Sequence, residues 1–162
     1  MKTIVLATDG SPSAARATEV AIDLARETGA PLRVVTAWSI PLSAYGYAPL
    51  LVWPEVEQDE RERGEQALAT AVEQAARAGV EATSELRSGD AVEEICEAVR
   101  ETDASLVVIG AHGWGPVRRL VFGSVSGGVL HHAPCPVLVV RDGAAAADER
   151  VDAARAQAPT SP

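Results

Sequence analysis

The residues with the clearest capacity for chemistry lie between Gly110 and Ser126, where the chain reads Gly-Ala-His-Gly-Trp-Gly-Pro-Val-Arg-Arg-Leu-Val-Phe-Gly-Ser-Val-Ser. Gly110, Gly113 and Gly123 open both ends of this segment. Glycine tolerates φ > 0 and, lacking a Cβ, lets a bulky anion approach the main chain, so such a loop can curl its N–H groups around phosphate. A helical pattern starts at Ser124. The N–H groups of Ser124, Val125 and Ser126 would then be unpaired and stand at the positive end of a helix dipole. Hydrogen bonds to a charged group contribute ~1.5–3 kcal/mol each and a helix N-terminus ~0.3–1 kcal/mol, so a few such contacts can hold a triphosphate without a lysine.

That economy matters because cations are scarce. The chain has 14 basic and 23 acidic residues, a formal charge of −9, and Lys2 is its single lysine. A broad basic face for nucleic acid is excluded, and an anionic ligand must be held by backbone N–H groups, a helix end or a few arginines. The pattern G-x4-G-K-[ST] is absent, and strand one is followed only by Asp9-Gly10 instead of G-x-G-x-x-G, so neither a P-loop nor an ordinary dinucleotide site is expected. His112 has no carboxylate partner or metal-ligand spacing in sight, and His131 and His132 end a helix, where partial positive charge is favourable. No catalytic residue and no metal site is assigned. Arg118 and Arg119 can reach phosphate or be solvated on a loop. Cys96 and Cys135 lack C-x-x-C spacing and read as buried thiols.

The elements that must position these residues alternate strictly. Runs at residues 3–8, 32–37, 80–86, 106–109 and 137–140 read as strands. Four are nearly continuous in apolar residues, as in a parallel sheet covered on both faces; the run at 80–86 alternates, as an edge strand does. Between them lie amphipathic helices. Ala17, Val20, Ala21 and Leu24 mark one, with Ser11 as N-cap, Pro12 at its first position and Gly29 past its end. A second spans about 55–78, where Leu68, Ala71, Val72 and Ala75 can pack. Val92, Ile95, Cys96 and Val99 mark a third, and a fourth runs from Ser124 to before Pro134. The expected fold is α/β: a doubly wound, flavodoxin-like, five-stranded parallel sheet of order 3-2-1-4-5, with its ligand site at the carboxyl ends of strands 1 and 4. Residues 39–54 form a long connection expected to carry specificity, and residues 142–162 read as a flexible tail. No signal region or membrane span is legible, which points to the cytoplasm.

The spacing Gly110-x2-Gly113-x9-Gly123-Ser124 resembles the ATP-binding signature of universal stress proteins. The segment from Ser126 through Gly127-Gly128-Val129-Leu130-His131-His132-Ala133-Pro134-Cys135-Pro136 to Val137-Leu138-Val139-Val140 is similar to that family's C-terminal part, and Ile4-Val5-Leu6-Ala7-Thr8-Asp9-Gly10-Ser11 to its start. The resemblance covers about residues 1–141 as one domain. It implies that Asp9 lies near the ribose or phosphates and Ala37 near adenine. Gly110, Gly113, Gly123, Ser124 and Val125 would form the phosphate cradle, with Ser126 close by. It also implies a homodimer, a state that the unguarded apolar edge at residues 137–140 favours independently.

The expected function is that of an ATP-binding stress-response regulator, with any Mg2+ carried on the phosphates. Three rivals remain open: a slow ATPase, for which no base is identified; a binder of cyclic AMP or AMP; and a purely structural dimerisation module. Asp9 can also be read as a simple turn residue before the first helix.

Overall fold

The computed structural model describes residues 2–39, 53–113 and 122–141. The expected specificity segment (apart from its ends), Arg118 and Arg119, and the expected tail at 142–162 lie outside the described residues.

Among the described residues nine elements alternate: β1 (Ile4–Ala7), α1 (Pro12–Thr28), β2 (Leu32–Trp38), α2 (Trp53–Arg77), β3 (Ala82–Ser88), α3 (Ala91–Glu101), β4 (Leu106–Gly110), α4 (Ser124–His132) and β5 (Val137–Val140). All sheet pairings are parallel and the order is β3-β2-β1-β4-β5, as the alternation predicts. Register is set by burial: Val5 and Leu6 of β1, pointing to opposite faces, are both fully buried. Leu6, Leu32 and Val34 pack with Ala17, Ala21, Leu68, Ala71 and Ala75 of α1 and α2. Val5, Val35 and Val107 pack with Ile95, Val99 and Val129 of α3 and α4. Each of these valines, leucines and isoleucines contributes ~1.5–3 kcal/mol when fully buried, so the central strands hold the sheet while its two edges remain thinner.

Helix ends follow the residues that punctuate them. Ser11 caps α1, its Oγ accepting from Ala14 N–H at 3.3 Å, and Gly29 closes it in a left-handed conformation. Asp90 caps α3 through the N–H groups of Val92 and Glu93.

The third strand is displaced from its expected position. Residues 80–86 read as a strand, but β3 begins at Ala82. Val80 instead finishes α2: Gly79 has φ +73°, its N–H donates to Ala76, and Val80 N–H donates to Ala75. This is a Schellman closure, in which the residue after the left-handed glycine tucks its apolar side chain back against the helix, and Val80 is buried accordingly. β5 also departs from the doubly covered strands that its composition resembles. It is an edge strand whose residues are half-exposed or exposed. Cys96 is buried, whereas Cys135 is only half-buried, so it is not the enclosed thiol expected; burial pushes both thiols above their ordinary range.

Candidate functional site

The carboxyl ends of β1, β2 and β4 open into a cavity of ≈ 390 Å³. Ala7, Val35, Ala37, Ile109, Ala91 and Ile95 give it an apolar floor and wall, and Asp9, Gly113, Gly123, Ser124, Val125 and Ser126 form its other end. All eight residues singled out from the sequence, Asp9, Ala37, Gly110, Gly113, Gly123, Ser124, Val125 and Ser126, therefore line one cavity. Ala91 and Ile95 were missed: they sit on the third helix, and no sequence signal marks which helix borders the strand ends.

At the polar end α4 begins without a side-chain cap. Its N-cap is Gly123, in extended conformation, and the first turn carries no acidic residue. The first N–H groups of a helix have no intrahelical partner, so the start of α4 offers donors and a partial positive charge to the cavity. Gly123 N–H donates to the carbonyl of Ala111 at 2.7 Å, and Ser126 Oγ donates to the same oxygen at 2.8 Å. Those two bonds anchor the helix start to the end of β4. Ser126 is buried and its hydroxyl is thus committed to structure, while Ser124 is exposed.

The opposite rim is built by the turn from β1 into α1. Asp9 Oδ1 accepts from Ser11 N–H at 3.0 Å, and Gly10 takes φ +73°. Asp9 therefore forms a turn before α1 and also borders the cavity. Ser11 Oγ donates to the His112 carbonyl at 3.3 Å, and His112 N–H donates to Ser13 Oγ at 3.4 Å. The backbone of His112 is in this way held from both sides by the first turn of α1, which fixes the root of the glycine segment.

The glycines act by close approach. None of Gly110, Gly113 and Gly123 has a left-handed φ, contrary to the expectation that the loop would exploit it. A Cβ on Gly110 would stand 2.7 Å from the carbonyl carbon of Ser13 and 2.8 Å from Ala14 N, so its absence lets α1 dock on β4. A Cβ on Gly113 would stand 2.6 Å from Asp9 Oδ2. Among the described residues, no group of three or more His, Cys, Asp and Glu is placed to hold a metal ion.

A family model described as the universal stress protein family matches residues 1–141. This chain belongs to the universal stress protein family. A universal stress protein of Thermus aquaticus is 40% identical over 141 residues, covering 86% of this chain and 98% of the relative. A universal stress protein solved in complex with cAMP superposes with a TM-score of 0.64 at 27% identity, covering 86% of this chain and 96% of that one. The universal stress protein of Archaeoglobus fulgidus, solved in complex with dAMP, gives a TM-score of 0.58 at 28% identity over 86% and 97% of the two chains. As a universal stress protein, the chain places its glycine signature at the strand ends where a doubly wound sheet binds ligands.

Proposed function

We propose that this universal stress protein binds an adenine nucleotide in the cavity at the strand ends, with ATP as its ligand and nucleotide occupancy as its regulatory signal in a stress response. The observation that carries this reading is the start of α4, which no side chain caps, at one end of a mostly apolar cavity. In it the base lies against Val35, Ala37, Ala91 and Ile95, and the phosphates meet the N–H groups of Ser124, Val125 and Ser126 beside Gly113. The chemistry of the lining fits such a group: a flat apolar base at one end and a concentrated anion at the other. Any Mg2+ would be carried on the phosphates and neutralise part of their charge next to Asp9. Residues 1–141 form the binding unit and pair as a homodimer through β5, whose apolar edge has one sheet neighbour among the described residues. The setting is the cytoplasm, where thiols such as those of Cys96 and Cys135 stay reduced.

A second reading has an observation of its own. The two solved relatives above were captured with nucleoside monophosphates. On that reading the ligand is AMP or cyclic AMP. Chromatography and mass analysis of the small molecules released when freshly purified protein is denatured separates the two. ATP at near one equivalent per chain supports the first reading, AMP or cyclic AMP the second. Empty protein that then takes up none of the three nucleotides in solution overturns both.

A further inference from the structure

The outer part of the α3 face of the sheet carries charge where the inner part carries valines. Arg33 of β2 pairs with Glu85 of β3, and Glu85 Oε1 lies 3.0 Å from Arg87 Nη2. The Arg87 side chain is only 10% exposed; it bonds Glu101 through Nη2 and lies 3.6 Å from Glu94 Oε2 through Nη1. Glu94 and Glu101 stand on α3 about two turns apart. One guanidinium thus ties β3 to both the first and the last turn of that helix, which suits its planar fork of donors.

Its reach extends to the junction that leads into the cavity. The other oxygen of Glu94, Oε1, occupies the space above Gly89, 2.7 Å from where a Cβ would be. Gly89 N–H donates to the Trp38 carbonyl at 3.0 Å, which holds the junction to the end of β2. Directly after it, Ala91 and, one turn on, Ile95 form the wall facing Val35 and Ala37. Arg87 is itself the register partner of Ala37, yet it does not line the cavity. Without the guanidinium, three carboxylates from β3 and α3 would converge with Arg33 as the remaining cation of the cluster, and like charges would drive α3 away from the strand.

We propose that Arg87 is a positioning residue for the base end of the nucleotide site: by clasping Glu94 it sets the separation between the Ala91–Ile95 wall and Ala37. The inference rests on the nucleotide reading of the cavity. Its test titrates adenosine and ATP into the parent, Arg87→Met, Glu94→Gln and the double variant, with hydrogen exchange followed in the ligand-free proteins. Arg87→Met should weaken adenosine and ATP by the same factor, about tenfold, because both share only the base and ribose. Glu94→Gln, the gentler change, should move both ligands in the same direction by less, and the double variant should be no weaker than Arg87→Met alone. Exchange should speed up at residues 91–95 and stay unchanged in β1 and β4. Unchanged adenosine affinity in Glu94→Gln, additive losses, or faster exchange throughout the sheet would each overturn the clasp. A parent protein that binds neither adenosine nor ATP would fail at the first titration, which overturns the nucleotide reading and the role of Arg87 with it.

Discussion

Gly113 stands against Asp9, so close that a Cβ on the glycine would come within 2.6 Å of the carboxylate oxygen Oδ2. The two rims of the cavity therefore meet at these residues, and the missing side chain is what lets them approach so closely. Gly110, three residues earlier, is equally crowded but by main chain, with Ser13 and Ala14 of α1 at 2.7–2.8 Å. The two glycines should fail differently. Gly110→Ala forces apart a packed helix and strand and should cost about 1–3 kcal/mol of stability or more. Gly113→Ala displaces a short exposed side chain and should change the melting temperature little while weakening ATP. Equal thermal shifts in the two variants would contradict this division.

Two serines at the start of α4 should also separate. Ser126 spends its hydroxyl on the Ala111 carbonyl, so Ser126→Ala should cost about 0.5–1.5 kcal/mol of stability. Ser124 is exposed, and Ser124→Ala should leave stability unchanged while weakening ATP by about 1.5–3 kcal/mol if its hydroxyl meets a charged phosphate oxygen. Denaturant unfolding paired with calorimetry reads both. A loss of stability in Ser124→Ala would place its hydroxyl in the fold instead.

The charged cluster on β3 predicts an acid limb. Partial burial would raise the Glu85 carboxyl, but hydrogen bonds and charge from Arg33 and Arg87 outweigh it and hold the group below its ordinary range. A folded value below the unfolded one means that the pairing is fully stabilising above the ordinary carboxylate range and is lost as pH falls through the lowered value. Melting temperature followed from pH 7 to below about pH 4 should fall more steeply for the parent than for Glu85→Gln. Parallel curves would show that Glu85 contributes nothing to acid unfolding.

At the other edge, Leu138 is 36% exposed on a strand that, among the described residues, pairs with β4 alone. Light scattering at micromolar concentration should give the mass of a dimer, and Leu138→Lys, which guards the edge with a charge, should give a monomer. A monomeric parent would leave the apolar composition of β5 without a partner.

Where periodicity and punctuation agree, the fold was legible. Ser11, Pro12 and Gly29 bound α1 as read, and the apolar runs of β1, β2 and β4 gave the sheet its centre. Val80 misled because an apolar residue after Gly79 serves a helix closure as well as a strand, and only the backbone bonds to Ala75 and Ala76 distinguish them. The site was legible through its glycines, but the reason for them was not. Spacing shows that Cβ atoms are missing, whereas the atoms they would strike, on Ser13, Ala14 and Asp9, come from the opposite end of the chain. Arg87 was invisible for the same reason: its partners Glu94 and Glu101 look like ordinary solvated charges until α3 is laid on β3.

The central claim is that the cavity between Asp9, Ala37 and the start of α4 binds ATP. Calorimetric titration of ATP into the parent and into Gly113→Val, with circular dichroism on both, tests it most directly. The branched side chain would collide with the Asp9 carboxylate at the rim and leave the core untouched. Saturable binding by the parent, no binding by the variant and superimposable spectra are the predicted result. A Gly113→Val protein that binds ATP as tightly as the parent, or a folded parent that takes up none, would contradict it.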